Sequence, residues 1–294
     1  MRGEEGQVTL SMPEFNIIAA VAYREFGLKI IPEKMMMVQS RLRHRLRALN
    51  LPDFDAYSRM LDTPQGIDER RFFVSALTTN VSHFHREPHH FDLLVKALAP
   101  ELKQRIQAKE RIRIWSAGCS NGQEPYSIAM RLLQVEPNLT QTDFRILATD
   151  IDPKVISFAT EGAYGSRLLS GVPDKDRRRF FKEKPNHSIV SDELRKCVTF
   201  RELNLLATWP MRHQFDAIFC RNVVIYFDVE TQEKLWPRFN ASLAKRGVFF
   251  LGHSERIALP GKCGFKSIGP TAYEKCVAAT GIPSTKIRGQ NGTS

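Results

Sequence analysis

Arg111-Ile-Arg-Ile-Trp-Ser116 reads as a β-strand, Ala117-Gly-Cys-Ser-Asn-Gly122 as a glycine-bearing turn, and Gln123-Glu-Pro-Tyr-Ser-Ile-Ala-Met-Arg-Leu-Leu-Gln134 as a helix. A second strand, Phe144 to Thr149, follows and runs into Asp150-Ile151-Asp152. This is the order of a nucleoside-binding α/β unit. The turn brings main chain and a helix N-terminus to the ligand, and a carboxylate at the tip of the second strand accepts the ribose hydroxyls. The pattern makes the chain an enzyme candidate.

The turn holds only two glycines, Gly118 and Gly122, so it is not a GxGxxG dinucleotide fingerprint. Glu124-Pro125 falls in the first turn of the helix, where the missing N–H of a proline costs nothing. A carboxylate there repels phosphate and suits the ammonium of an amino-acid moiety. Glu124 thus points away from a pyrophosphate cofactor and toward S-adenosylmethionine. Its alternative role is a helix N-terminal acid facing the macrodipole. Asp150 ends a strand and is read as the ribose acceptor, because Asp152 already stands where the cap of the next helix belongs. Asn204-Leu205 and Arg221-Asn222 end two later strands, at the edge where open parallel sheets bind ligands. An asparagine there either meets an adenine edge or serves ordinary turn chemistry.

Outward from this unit, strand and helix patterns keep alternating. Further strands are read at Val198–Leu203, Phe215–Cys220, Val248–Gly252 and Ala272–Val277, with a helix at Val229–Leu243. Such alternation predicts an α/β fold with a parallel sheet flanked by helices. Residues 165–196 carry the charge run Lys175-Asp-Arg-Arg-Arg179 and a polar stretch, too long for an ordinary connection, and read as an inserted subdomain or mobile loop. Residues 12–80 are helical, 81–110 form a linker and connecting helix, and 111–280 form the α/β domain. Residues 1–11 and 281–294 are read as flexible polar tails.

A chain of 294 residues with 42% apolar content holds two domains with real cores. Its net charge of +11 predicts an acidic partner without choosing among nucleic acid, membrane face and protein. The five cysteines form no CxxC pair, which suits a reducing compartment. With no apolar leader run near the start and no segment long enough to insert in a bilayer, the expected location is the cytoplasm. One helix, 34–49, concentrates positive charge. At about 100° per residue, Met35, Val38, Leu42, Leu46 and Leu49 form an apolar stripe. Lys34, Arg41 and Arg45 flank it on one side, Arg43 and Arg47 on the other. They read equally as a solvated face and as a surface for an acidic partner. His83, His85, His89 and His90 invite a metal, but no HExxH or suitably spaced Cys or Asp accompanies them, so no metal site is expected. Arg86, in the same junction, is placed to reach a cleft between the domains.

The chain resembles the CheR family of chemotaxis receptor methyltransferases. The residues that carry the likeness are Leu77-Thr-Thr-Asn-Val-Ser-His-Phe-His-Arg-Glu-Pro-His-His-Phe91, Trp115-Ser-Ala-Gly-Cys-Ser-Asn-Gly-Gln-Glu-Pro-Tyr-Ser-Ile-Ala129, Ala148-Thr-Asp-Ile-Asp152, Phe215-Asp-Ala-Ile-Phe-Cys-Arg-Asn-Val-Val-Ile-Tyr-Phe227 and Gly252-His-Ser-Glu255. The resemblance implies a small all-α N-terminal domain followed by a class I, Rossmann-like methyltransferase domain. It implies S-adenosylmethionine as donor, S-adenosylhomocysteine as product, and glutamates on the cytoplasmic domain of methyl-accepting chemotaxis receptors as acceptors. Asn80, Ser82, Arg86 and Gly118 would face the cofactor, Glu124 would hold its amino-acid end and Asp150 its ribose. Asn204, Leu205, Arg221 and Asn222 would complete the pocket. Arg86, Arg221 and Tyr226 would line the acceptor site as catalytic residues. Lys34, Arg41, Arg43, Arg45 and Arg47 would bind the receptor. In one respect the chain departs: Phe181–Leu194 contains no glycine, where some members use a glycine-rich loop to grip the receptor's C-terminal pentapeptide, which puts tether binding in doubt. The rivals are a methyltransferase acting on nucleic acid, for which the basic helix lacks aromatic platforms, and a regulator that binds without turnover.

Overall fold

The computed structural model describes residues 8–276. Five helices come first: α1 (Met12–Phe26), α2 (Met35–Ala48), α3 (Phe54–Leu61), α4 (Ile67–Leu77) and the longer α5 (Pro88–Gln107). There follow β1 (Ile112–Ala117), α6 (Gln123–Val135), β2 (Phe144–Asp150), α7 (Pro153–Glu161), β3 (Ala163–Tyr164), α8 (Asp174–Phe180), β4 (Phe181–Glu183), β5 (Ser188–Val190) and α9 (Asp192–Arg195). The chain continues with β6 (Val198–Glu202), β7 (Phe215–Cys220), α10 (Val229–Ser242), β8 (Leu243–Leu251), β9 (Phe265–Gly269) and β10 (Ala272–Lys275).

The helical domain closes on one apolar core. Phe15, Ile18 and Val21 of α1 meet Val38, Leu42 and Leu46 of α2, with Phe54, Tyr57 and Leu61 of α3 and Phe73 of α4. α1 begins where the Glu14 carboxylate takes the Ser11 N–H at 2.6 Å and ends at Gly27, whose φ of 67° a side chain disfavours. Leu10 is buried and its N–H bonds to Gln39 Oε1 at 2.7 Å. Residues 8–11 therefore belong to this domain and not to a tail. The rest of the expected N-terminal tail, and all of the C-terminal one, lie outside the described residues.

Seven strands form the main sheet in the order β6-β2-β1-β7-β8-β10-β9. β1 pairs with β2 and β7 in parallel, β2 with β6, and β7 with β8. The parallel part is doubly covered, as its continuous apolar strands require. Phe219 faces the core under α5 and α6, while Ile218 and Cys220 face the core under α10. The far edge adds antiparallel pairing to the expected parallel sheet, since β10 runs antiparallel to both β8 and β9. β9 escaped the sequence reading because Phe265 is its one buried residue, as befits an edge strand. The insert is a folded subdomain, a three-stranded antiparallel sheet in the order β3-β5-β4. Its Tyr164 is fully buried and donates its hydroxyl to Asn121 O at 2.6 Å, tying the insert to the glycine turn. Among the described residues no helix is long and apolar enough to cross a membrane.

Candidate active site

The C-terminal ends of β1, β2, β6 and β7 open on a cleft of ≈ 970 Å³, counting the space open to solvent. Phe26, Leu28 and the linker Thr78–Arg86 close it from the helical side. The linker is stitched down by Asn80, whose Nδ2 donates to Asp152 Oδ2 at 2.8 Å and whose carbonyl accepts from Ser120 Oγ at 3.2 Å. Asp152 also caps α7, accepting from Lys154 N at 2.9 Å.

The glycine turn has the shape of a phosphate loop without its function. Gly118 has φ 92°, and a Cβ there would lie 2.2 Å from Val223 Cγ2. Its N–H and that of Cys119 both donate to Thr149 O, at 2.7 and 2.9 Å. Ser120 N donates to Asp150 Oδ2 at 2.8 Å, and Gly122 N to Cys119 O at 3.0 Å. These donors are spent inside the protein, so the turn offers them to no pyrophosphate. Beside it stands Glu124, with Oε1 accepting from Ser116 Oγ at 2.7 Å and Oε2 from Arg221 Nη1 at 3.1 Å. Burial pushes the Glu124 carboxyl up, and Arg221 and Ser116 pull it back. A cationic ligand group would complete that compensation. Asp150 accepts from Ser120 N and from Asp152 N at 3.1 Å, and burial raises its carboxyl to about 6. Each carboxylate oxygen keeps a lone pair for a diol. Both sites fit S-adenosylmethionine, which brings an ammonium and a ribose and no phosphate.

Asn80, Ser82, Arg86, Gly118, Glu124, Asp150, Asn204, Leu205, Arg221, Asn222 and Tyr226 all border this one cleft. Their side chains do not all face it with free groups. The Asn204 amide donates to Glu25 O and accepts from Leu206 N, both at 2.9 Å. It serves as a turn former and a tie to α1, the turn-chemistry alternative of the sequence reading. Arg221 is also reassigned. Its side chain is 2% exposed, and its terminal nitrogens meet Glu124, Glu87 Oε2 at 3.3 Å and Arg86 O at 2.5 Å. So placed, it braces Glu124 and the Arg86 backbone, and both terminal nitrogens already have protein partners in place of wholly free donor groups. Arg86 and Tyr226 keep such groups. Arg86 Nη1 holds Val81 O at 3.1 Å, and its other donors, like the Tyr226 hydroxyl, have no protein partner among the described residues.

The histidines behave differently from the sequence expectation in one respect. Donor atoms of Glu87, His89 and His90 lie within 4.8 Å of one another. Yet Glu87 already faces Arg221, and its Oε1 lies 3.2 Å from His253 Nδ1. Burial and then Arg221 push the His90 imidazole down to about 4, so it is neutral beside them. The cluster acts as the support of Arg221.

The basic helix is rearranged most. Arg45 is committed to a buried pair with Glu69, at 2.8 and 2.6 Å, which Tyr57 joins at 3.0 Å. Arg41 donates to Leu77 O and to Thr79 Oγ1. Neither is available as a docking cation. Lys34 and Arg47 are exposed and Arg43 half-buried. Lys29, which the sequence reading missed, is exposed too and borders with Lys34 a small groove that shares Leu28, Thr78, Thr79 and Tyr226 with the main cleft. Only the folding of the loop after α1 brings it there. Glu255, noted in sequence only as part of the Gly252–Glu255 motif and given no role there, is buried behind the turn that carries Arg221 and Tyr226. An isolated acid after a strand gives no sequence signal of burial.

What the cleft selects is a nucleoside that carries a cation in place of phosphate, and a protein built around it is of the S-adenosylmethionine-binding methyltransferase class. Residues 80–273 match the family model of the CheR methyltransferase SAM-binding domain, and residues 13–78 that of the CheR methyltransferase all-alpha domain. The chain belongs to the CheR methyltransferase family. It is 44% identical to a probable chemotaxis protein methyltransferase of Rhizobium etli, over 85% of this chain and 95% of that one. Chemotaxis protein methyltransferase 2 of Pseudomonas aeruginosa is 41% identical over 88% and 92% of the two chains. The Escherichia coli chemotaxis protein methyltransferase is 38% identical over 86% and 87%.

Proposed function

We propose that this chain transfers the methyl group of S-adenosylmethionine to glutamate side chains on the cytoplasmic domain of methyl-accepting chemotaxis receptors, giving glutamyl methyl esters for sensory adaptation. On this reading it works in the cytoplasm, with the receptor as partner. The names of its relatives support the chemotaxis setting. The observation that carries the acceptor class is the wall made by Arg86 and Tyr226, with unspent donors, beside a groove edged by Lys29 and Lys34. Such a wall suits an anion arriving from an acidic surface.

Bound S-adenosylmethionine supplies a methyl already activated by its sulfonium. A glutamate acceptor, with a pKa of about 4.3, is ionised at neutral pH and needs no general base. The protein's task is then orientation. Glu124 and Asp150 fix the two ends of the donor. Arg86 holds the acceptor oxygen that does not react, and Tyr226 orients the group through its hydroxyl. Strong donors on both oxygens would stabilise the starting carboxylate more than the transition state, so the withdrawal of Arg221 into its ion pairs favours the reaction. Tether binding forms no part of the proposal, because 181–194 offers no glycine loop.

The test is incubation with methyl-labelled donor and a receptor cytoplasmic fragment, followed by mass mapping. Base-labile label on glutamate is expected. Label that resists mild base, or that lands on another residue type, defeats the proposal.

A further inference from the structure

One buried carboxylate lies behind the cleft and outside it. Glu255 is 3% exposed and accepts four backbone N–H groups. Its Oε2 takes Asn222 N at 2.8 Å and Gly252 N at 2.6 Å. Its Oε1 takes Val223 N at 2.8 Å and Ile225 N at 3.2 Å. Three of these donors belong to the connection between β7 and α10, which supplies Arg221, Asn222, Val223, Tyr226 and Phe227 to the cleft. That connection is not a relaxed turn, since Asn222 sits at φ 59°. Nor has it room to shift. A Cβ on Gly252 would lie 2.6 Å from Asn222 Nδ2, and one on Gly118 would meet Val223.

We infer that Glu255 is a positioning residue for methyl transfer: its carboxylate is the internal anion around which the β7–α10 connection folds, and through that connection it aims Arg221 and Tyr226. The inference rests on the acceptor chemistry proposed above. A carboxylate with four lone-pair sites can satisfy four convergent N–H donors, and no neutral side chain of its size can. A glutamine replaces one oxygen by an NH2 group. Whichever way that amide turns, two backbone donors lose their acceptor and face hydrogens. The donor's ribose contact would persist, because Asp150 stands on β2 and is held from the glycine turn and not from this connection. The aim of the connection would not, and misplacement of about 1 Å can cost on the order of a hundredfold in rate.

The test uses the full chain as Glu255→Gln and, separately, as Gly252→Ala, which pushes on Asn222 while keeping the carboxylate. Three quantities are measured: receptor-fragment methylation under saturating donor, S-adenosylhomocysteine stoichiometry and affinity by calorimetry, and hydrogen exchange of the 221–227 segment. Expected for Glu255→Gln is full stoichiometry, faster exchange in that segment, and kcat per cofactor site lowered about 10- to 100-fold, more than affinity is lowered. Gly252→Ala should show the same signature more weakly. Rate per site within about twofold of the parent despite faster exchange overturns the inference, as does loss of stoichiometric binding in both variants, which would make Glu255 a fold residue only. A parent chain that labels no receptor carboxylate overturns the acceptor assignment instead, and exchange in the variants then decides whether Glu255 holds the connection.

Discussion

Asp150 shows how a single carboxylate couples the cleft to pH. Burial holds its carboxyl at about 6 against the pull of backbone N–H donors, those of Asp152 and Ser120 first. Ribose hydroxyls donate to the ionised form, so binding must lower that value. Affinity for S-adenosylhomocysteine is then complete above the raised pKa and falls as pH drops through about 6. Calorimetry at pH 6 in two buffers of different ionisation enthalpy should report release of up to about half a proton per site from this group on binding. Any release from Glu124, whose carboxyl burial also raises, runs in the same direction, and Asp150→Asn separates the two. The variant should lose the Asp150 share of proton release and bind about 10- to 150-fold more weakly, the worth of charge-assisted bonds to the diol. Equal proton release in parent and variant removes Asp150 from the ribose. That both acids border the cleft was legible in the sequence, because each sits at a fixed offset from a strand end. Asn204 lies at the same kind of offset and borders the cleft, but the sequence left its role open between adenine edge and turn, since its partner is a carbonyl of α1 that no local pattern reveals.

At the scale of the element, α2 separates what periodicity can and cannot see. The apolar stripe is real, with Val38, Leu42 and Leu46 buried. The charges beside it look alike in sequence and differ in the fold, because Glu69 lies 24 residues from Arg45. Arg45 is a core residue in effect. Arg45→Met should destabilise the chain by about 3–5 kcal/mol, since it leaves the Glu69 carboxylate buried without its cation. Reversal of the exposed pair, Lys29→Glu with Lys34→Glu, should leave stability within about 0.5 kcal/mol of the parent. The same double variant should depress receptor methylation at low salt and converge on the parent as screening shortens to about 3 Å at 1 M. Urea melts and methylation rates across salt check both statements. A melt for Arg45→Met that overlays the parent, or a reversal without effect at low salt, contradicts this division of the helix. The same limit explains the insert, whose strands are too short for alternation to register, and β9, which buries a single residue.

Across the whole molecule, the helical domain is a wall of the cofactor site. Phe26 and Leu28 border the cleft, and the turn between them is Gly27. Four ties seat that wall on the sheet edge: Tyr23 Oη to Asp228 at 2.7 Å, Asn204 Nδ2 to Glu25 O at 2.9 Å, Lys29 N to Tyr226 O at 3.0 Å, and Arg71 to Glu202 at 2.6 Å. The two-domain division was legible from the change of period near residue 80, but the seam was not, because every tie joins residues remote in sequence. Gly27 is its tightest point. It has φ 67°, and a Cβ there would lie 2.5 Å from Leu206 Cδ1. Gly27→Ala should cost about 1–3 kcal/mol in backbone strain and lift Phe26 and Leu28 from the cleft. Cofactor affinity should fall with it, although no residue that bonds the ligand has changed. In the parent, product at about 100 times its Kd should add about 2.7 kcal/mol to stability, by mass action on the folded form. In Gly27→Ala the same concentration should add clearly less. Thermal melts with and without S-adenosylhomocysteine, alongside calorimetric affinity, make the comparison. A variant that melts earlier yet binds product as tightly as the parent would show that the methyltransferase domain builds its cofactor site alone, and that the helical domain merely sits beside it.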